Sequence, residues 1–269
     1  KHKEIMSLAF DLLPIEQWHQ VKRTSRINMG QYEVDYPIEY SIKQIYEKDP
    51  KLAYEITLDF LSSVDSGSYY NLEEWFRQKF GNKLCDLYFL PYNTKIWGRS
   101  PNLMSHEWVQ DKLPIPNKES FFTALMNSQV DNMPHSQFYY PNSNNQKTFI
   151  DALASNLNII CNQEAKSIKK TSTGWMVNEL YDADILISTI PLNLLPRYVE
   201  GIPESVIKSA EQLKYNKVSN VFWESQLTDK TWTYQPSIDS IFHRYIHIGN
   251  FLTPLFTLKM LSEINYQLD

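Results

Sequence analysis

The chain has 269 residues, 42% of them hydrophobic, which is enough to bury the core of one large domain or two ordinary ones. A formal net charge of −5 and a pI near 5.7 argue against nucleic acid as a partner, because phosphate binding needs a basic surface. No apolar run reaches the roughly 18 residues of a membrane span and no charged-then-apolar leader opens the sequence, so a cytoplasmic location is expected. The two cysteines, Cys85 and Cys161, cannot form a disulfide framework and sit in apolar surroundings, where inert buried thiols are expected.

Ile5, Leu8, Ala9, Leu12 and Leu13 fall at helical spacing and predict one short helix over 2–13, stopped by Pro14. Residues 21–27 and 32–36 read as two strands of a hairpin turning at Met29-Gly30-Gln31. From Ser41 to about Phe80 the pattern is helical, broken at Ser66-Gly67-Ser68 and stopped at Gly81. Residues 83–90 and 119–128 also read as helices, and the prolines of Leu113-Pro114-Ile115-Pro116-Asn117 demand an extended connector. Beyond Pro134 the character changes. Residues 138–141 read as extended, 149–157 as helix, 158–161 as a short strand, and 165–169 with 174–180 as a hairpin. The unbroken run Ala183-Asp184-Ile185-Leu186-Ile187-Ser188-Thr189-Ile190-Pro191 has the character of a strand buried on both faces, as in a parallel sheet, and Ser188 and Thr189 at its end are expected to satisfy backbone groups. Residues 215–223 and 241–248 predict later strands. The expected fold class is α+β (mixed α/β): 1–39 a helix and hairpin, 40–135 a helical lobe, 136–269 a sheet-rich part with a mostly antiparallel sheet.

A dinucleotide-binding turn needs clustered glycines, since only glycine lets the backbone close on a pyrophosphate. The seven glycines lie at 30, 67, 81, 98, 174, 201 and 249, and no two are near enough to build one.

The segment Tyr88-Phe89-Leu90-Pro91-Tyr92-Asn93-Thr94-Lys95-Ile96-Trp97 sets amide, amine and large rings around a proline, a composition suited to stacking on a flat or sugar-like ligand while bonding its edges. Leu72-Glu73-Glu74-Trp75-Phe76-Arg77-Gln78-Lys79-Phe80-Gly81 precedes it; Leu103-Met104-Ser105, Trp108 and Lys112 follow. This block resembles the substrate-domain core of UDP-galactopyranose mutases and their relatives in the flavin-containing amine oxidase (protoporphyrinogen oxidase-like) superfamily, where the pattern runs roughly F-x-x-P-Y-N-x-K-x-W, then M-S, then W and a basic residue. The likeness extends to residues 20–39, 183–191 and 241–254.

The resemblance implies FAD as cofactor, a nucleotide-sugar substrate, and remnants of an FAD-binding parallel sheet whose last strand is 183–191. In that family the flavin fingerprint lies at the extreme N-terminus and a C-terminal stretch returns to the flavin, so the chain is expected to be an interior portion that does not retain FAD. It places Asn93 and Trp97, with Tyr92, at the sugar-nucleotide site. Lys95 is the weakest of that segment and reads equally as a solvated charge. Arg244, in Phe242-His243-Arg244, would hold the diphosphate with a planar fork of donors, followed by Asn250-Phe251 and Pro254. A structural carboxylate is the other partner open to that arginine. Lys112 stands where the mutases have an arginine on the diphosphate, which keeps the charge but loses the fork. Tyr36, in Tyr36-Pro37-Ile38-Glu39, belongs to the same site. Glu39 replaces a glutamine of the eukaryotic mutases, and a carboxylate there would repel a nearby phosphate. Tyr140 and Pro141, followed by Asn142-Ser143-Asn144-Asn145 in place of a glycine-rich turn, and Ala165 and Thr189 are implied on the cofactor side. His243 and His247 on one strand would lie about 13 Å apart, too far to share a metal ion.

No nucleophile and base pair stands out; in the resembled mutases the reduced flavin attacks the sugar and the protein supplies orientation and charge. The reading is part of a bacterial-type FAD-dependent mutase-like enzyme acting on a nucleotide-linked sugar in cell-surface polysaccharide synthesis. The alternatives are an FAD-dependent oxidoreductase of the amine oxidase or protoporphyrinogen oxidase type, and a non-catalytic remnant without flavin. Self-association into a homo-oligomer is expected, from apolar strand faces such as Ile185 and Ile187 left exposed.

Overall fold

The structure, a computed structural model, describes residues 2–109, 112–126, 136–226 and 228–252, and the backbone of 260–267. The chain divides into two units, Lys1–Leu153 with Asn216–Asp269, and Ala154–Tyr215.

In the larger unit, helix α1 (Lys3–Leu12) ends just before Pro14, and strand β1 (Trp18–Lys22) follows. Phe10 of α1 meets Trp18 edge-on at 6.3 Å. After Arg23 and Thr24 the chain enters a second sheet as the hairpin β2 (Ser25–Asn28) and β3 (Glu33–Asp35), with Gly30 at positive φ in its turn and Arg26 paired with Asp35 across it. The lobe that follows comprises α2 (Ile42–Lys48), α3 (Pro50–Ser62) and α4 (Leu72–Phe80). Asp49 caps α3 by accepting from the Leu52 N–H at 2.9 Å, with Pro50 in the first turn, and Asn71 caps α4 the same way from Glu74. Gly81 ends α4 at φ +80°, and a Cβ there would lie 2.5 Å from Asp59 Oδ2, the atom that accepts from Lys83 N–H at the next helix start.

That next stretch is one continuous helical path: α5 (Asn82–Leu84), a π turn over Cys85–Phe89, and α6 (Leu90–Trp97). The sequence predicts helix only to residue 90; the π turn lets the path run through Pro91, whose ring would otherwise crowd the preceding turn. Helix α7 (Lys118–Met126) completes the lobe. Its core is a run of rings: Phe80 stacks on Phe89 at 4.1 Å, Phe76 on Phe89 at 5.1 Å, and Phe60 on Phe121 at 4.2 Å. Truncating one of these rings to alanine costs roughly 3–5 kcal/mol. Ile27, Val34 and Tyr234 from the sheet belong to the same buried cluster, so lobe and sheet share a core.

Strand β4 (Gln137–Pro141) pairs antiparallel with β1, and α8 (Lys147–Ala154) brings Phe149 against Trp18 at 5.3 Å. In the smaller unit β5 (Ile168–Lys170), β6 (Trp175–Val177) and β7 (Tyr181–Ala183) form a three-stranded meander, one strand more than the expected hairpin, followed by α9 (Leu195–Tyr198) and α10 (Glu204–Glu211). Returning to the larger unit, β8 (Asn216–Trp223), β9 (Trp232–Tyr234), β10 (Arg244–Ile246) and β11 (Met260–Gln267) build the main sheet in the order β3-β2-β9-β10-β11-β8, antiparallel except for β2 and β9. The mixed α+β class is as expected; β9 and β11 are additions, and β9 is three residues long, a strand only because β2 and β10 flank it.

Two predicted strands do not form. Residues 158–161 have no regular structure, and Cys161 is exposed rather than buried; Cys85 is the buried thiol, its pKa pushed up by desolvation. The strand expected over 183–191 ends at Ala183. Past it Ile185 is 79% and Ile187 85% exposed, because an apolar run becomes a strand only where neighbours complete its hydrogen bonds, and no described strand flanks this one. Purified chain should therefore self-associate in a concentration-dependent way on light scattering, and the double change Ile185→Lys, Ile187→Lys should reduce it; a monodisperse wild-type monomer at all concentrations counts against this.

Candidate functional site

The site is built around Tyr234. In β9 it stands in register with Ile27 of β2 and Arg244 of β10, so the three share one row across the sheet. Its ring lies 4.8 Å from Tyr36 and meets Tyr92 of α6 edge-on at 5.5 Å. Its hydroxyl accepts from Arg23 Nη2 at 2.7 Å, while Arg23 Nε donates to Ser25 Oγ at 2.8 Å. The Arg23 guanidinium lies over the Tyr36 ring at 5.0 Å and the Trp232 ring at 5.3 Å. Burial and the neighbouring Tyr234 push the Tyr36 phenol well above its ordinary range.

Arg23 and Arg244 line one cleft of about 370 Å³, walled by Tyr140, Trp232, Tyr234 and Phe251. Arg23 also borders a second cleft of about 280 Å³ with Lys22, Lys43, Tyr36 and Tyr40. Two guanidiniums against aromatic walls suit a ligand with an anionic group beside a flat or sugar ring. Arg23 is the residue that sequence reasoning passed over. The available signal was a basic pair, Lys22-Arg23, interrupting a strand pattern, and the structure gives its cause: there the chain leaves one sheet for another and the side chain turns into the gap.

The predicted residues fall into groups. Tyr36, Tyr140 and Arg244 meet around these clefts. Pro141 ends β4 opposite Trp18, and His19 beside it bonds the Phe251 carbonyl at 2.6 Å. Tyr92 is buried in the aromatic stack, parallel to Tyr88 at 5.2 Å. Asn93 and Trp97 do not line the Arg244 cleft. They lie a third of a turn round α6 from Tyr92; Asn93 Nδ2 donates to the Phe89 carbonyl at 2.8 Å, and Trp97 meets Trp108 edge-on at 4.9 Å, with Lys112 over the Trp108 ring at 5.2 Å. The Trp97 indole N–H is buried with no acceptor among the described residues. Asn250 spends its amide on the backbone, donating to the carbonyls of Thr228 at 2.6 Å and of Lys230. Lys95 is no solvated charge: its ammonium donates to the carbonyls of Gln235 at 2.6 Å and Ser237 at 2.7 Å, because α6 lies against the β9–β10 connection. His247 bonds Thr233 Oγ1 at 3.0 Å, and burial lowers its pKa. In the smaller unit, Ala165 and Thr189 lie in irregular segments, and Ser188 Oγ accepts from the Ile190 N–H at 3.3 Å. Pro254 lies outside the described residues.

Glu39 is 3% exposed, on a short helical turn after the cis Tyr36-Pro37 bond. Desolvation raises its pKa to about 8, against a small opposing bond from its own backbone. It is therefore mostly neutral at pH 7, and the repulsion of phosphate expected of a carboxylate here does not arise.

No protein-family model matches the sequence. Solved structures do share the fold. A reduced UDP-galactopyranose mutase superposes with a TM-score of 0.81 at 20% identity, covering 98% of this chain and 59% of that one. A putative protoporphyrinogen oxidase from Exiguobacterium sp. 255-15 gives 0.62 at 13% identity, covering 98% and 63%. A CLA-producing fatty acid isomerase from P. acnes gives 0.54 at 11%, covering 98% and 62%. The chain spans about three fifths of the length of the solved structures it matches. Its fold is thus that of the mutase and oxidase group its motifs resemble. Among the described residues no helix is long and apolar enough to cross a membrane.

The residues present do not fit a whole FAD. Tyr140, Trp232 and Phe251 offer a wall for a flat ring, but no glycine turn exists in this sequence to take the pyrophosphate.

Because Glu39 binds its proton more tightly folded, near pH 8, than its ordinary value of 4.5, its contribution is complete below about pH 4.5 and fades as pH rises to 8. Denaturant unfolding should therefore show stability falling over that window, on the order of 5 kcal/mol at most, and Glu39→Gln should abolish this slope. An unchanged slope in the variant would show that another group titrates.

Proposed function

We propose that this chain is the substrate-binding portion of an FAD-dependent, mutase-type enzyme acting on a nucleotide-linked sugar in cell-surface polysaccharide synthesis in the cytoplasm. The observation that carries the reading is the convergence of Arg23 and Arg244 on one aromatic-walled cleft. Arg244 offers a fork of donors to a diphosphate; Arg23, anchored by Ser25 and Tyr234, adds a second charge without needing to be ordered first. Trp232, Tyr140 and Phe251 exclude water and present flat apolar faces to a sugar or base. Glu39, mostly neutral at pH 7, adds little negative charge near Tyr36. Trp97, with its unspent donor, and Lys112 over Trp108 form a separate polar-aromatic patch on the helical lobe that suits a further part of an extended ligand.

UDP titrated calorimetrically into the 269-residue chain should bind saturably, and Arg244→Lys, which keeps the charge and loses the fork, should weaken it about tenfold. Absence of binding by folded wild-type chain, or an unaffected variant, overturns the reading. An oxidoreductase reading draws on the fold shared with the putative protoporphyrinogen oxidase. The same guanidiniums would then hold carboxylates, so saturable binding of citrate without UDP would favour it. Purified chain should lack the yellow absorbance of bound flavin; a stoichiometric flavin spectrum would refute the poor fit described above.

A further inference from the structure

Lys95 is the side chain whose placement the cleft itself does not explain. It lies on α6 and does not line the cleft of Arg23 and Arg244, yet its ammonium donates to two backbone carbonyls, Gln235 and Ser237, immediately past β9. No carboxylate lies within ion-pair distance of it among the described residues; Asp239 is the charge it senses. A half-buried lysine spent on neutral carbonyls loses hydration without gaining a counter-ion, and its pKa, lowered by desolvation to about 8, records that cost. The bonds it makes fall on the β9–β10 connection, which Asn28 Nδ2 of β2 also holds by donating to Gln235 Oε1 at 3.0 Å. The β9–β10 connection is closed by Gln235 N–H to the His243 carbonyl at 2.9 Å and braced internally by Ser237 Oγ to Asp239 Oδ2 at 2.9 Å, while Ile238 and Ile241 stand in solvent. Arg244 is the first residue of β10 beyond that connection, next to His243.

We propose that Lys95 is a positioning residue: by holding the Gln235 and Ser237 carbonyls it fixes the β9–β10 connection against α6, and so sets where Arg244 presents its guanidinium in the cleft. Tyr92, one turn before it on the same side of α6, meets Tyr234 and lies 6.3 Å from His243, so the helix grips both ends of the connection, one through rings and one through charge. The polar grip supplies direction, since hydrogen bonds fix angle as well as distance where ring contacts allow sliding. For its binding consequence the proposal rests on the anion-binding reading of the cleft.

The test compares wild type, Lys95→Met and Lys95→Arg in amide hydrogen exchange and in calorimetric titration with UDP and, separately, inorganic pyrophosphate. The methionine variant should exchange at least tenfold faster over residues 235–244 with the β2–β3 hairpin unchanged, and bind either probe about tenfold more weakly; arginine, which reaches both carbonyls, should restore both. Faster exchange with unaltered affinity reduces Lys95 to a structural strut and overturns the proposal, as does exchange indistinguishable from wild type. Pyrophosphate binding without UDP binding removes the nucleotide reading, and the pyrophosphate series then decides the positioning claim alone; a wild type that binds neither overturns both. Should the methionine variant fail to fold, Lys95→Gln, which keeps one donor, is judged on the same titrations, with an intermediate loss expected and none fatal to the idea.

Discussion

The hydroxyl and ring of Tyr234 hold together parts of the chain that are far apart in sequence. Its hydroxyl takes Arg23 from the junction of two sheets, its ring takes Tyr36 from the β3 side and Tyr92 from α6, and its backbone pairs with Arg244. One residue thus ties lobe, sheet and cleft. A phenol suits this position because its ring can be buried in the common core while its oxygen still finds a charged donor. Phenylalanine there would keep the packing and leave Arg23 Nη2 to find another acceptor.

Charge in this region is managed by burial as much as by pairing. Glu39 sits inside the core and holds its proton, and Lys95 gives up part of its affinity for one, so near neutral pH the carboxyl is mostly silent. The guanidiniums cannot be neutralised in this way, and Arg23 and Arg244 line the clefts. Lys22, Lys43 and Asp35 join Arg23 in one of them, in a protein whose net charge is −5. Overall charge is thus a poor guide to what a local pocket prefers.

Much of the architecture was legible because it is written locally. The apolar spacing of α2 to α4, the stop at Gly81, the turn at Gly30 and the strand at 216–223 each follow from neighbours in sequence. What was not legible depends on distant partners. The three residues of β9 carry no signal of their own, the run after Ala183 lacks the flanking strands that its composition presumes, and the roles of Arg23 and Lys95 exist only once the sheet is assembled. The proline of the Tyr88–Trp97 segment sits inside a helical path, so its side chains are dealt round a cylinder. Tyr92 and Lys95 face the sheet, while Trp97 turns toward Trp108 and Asn93 bonds back to the Phe89 carbonyl. Side chains close in sequence are thereby assigned to different surfaces.

The parallel ladder between β2 and β9 joins residues 25–27 to residues 232–234, with the whole of the smaller unit threaded between them. During synthesis the hairpin therefore waits, one edge uncovered, until about two hundred further residues have been made. Closing so long a loop is entropically costly and slow. The helical lobe has its ring core available throughout that interval, and the intervening unit has its own meander. The cleft, lined by Trp232, Tyr234, Arg244 and Phe251 as well as by Arg23, needs both ends of that interval.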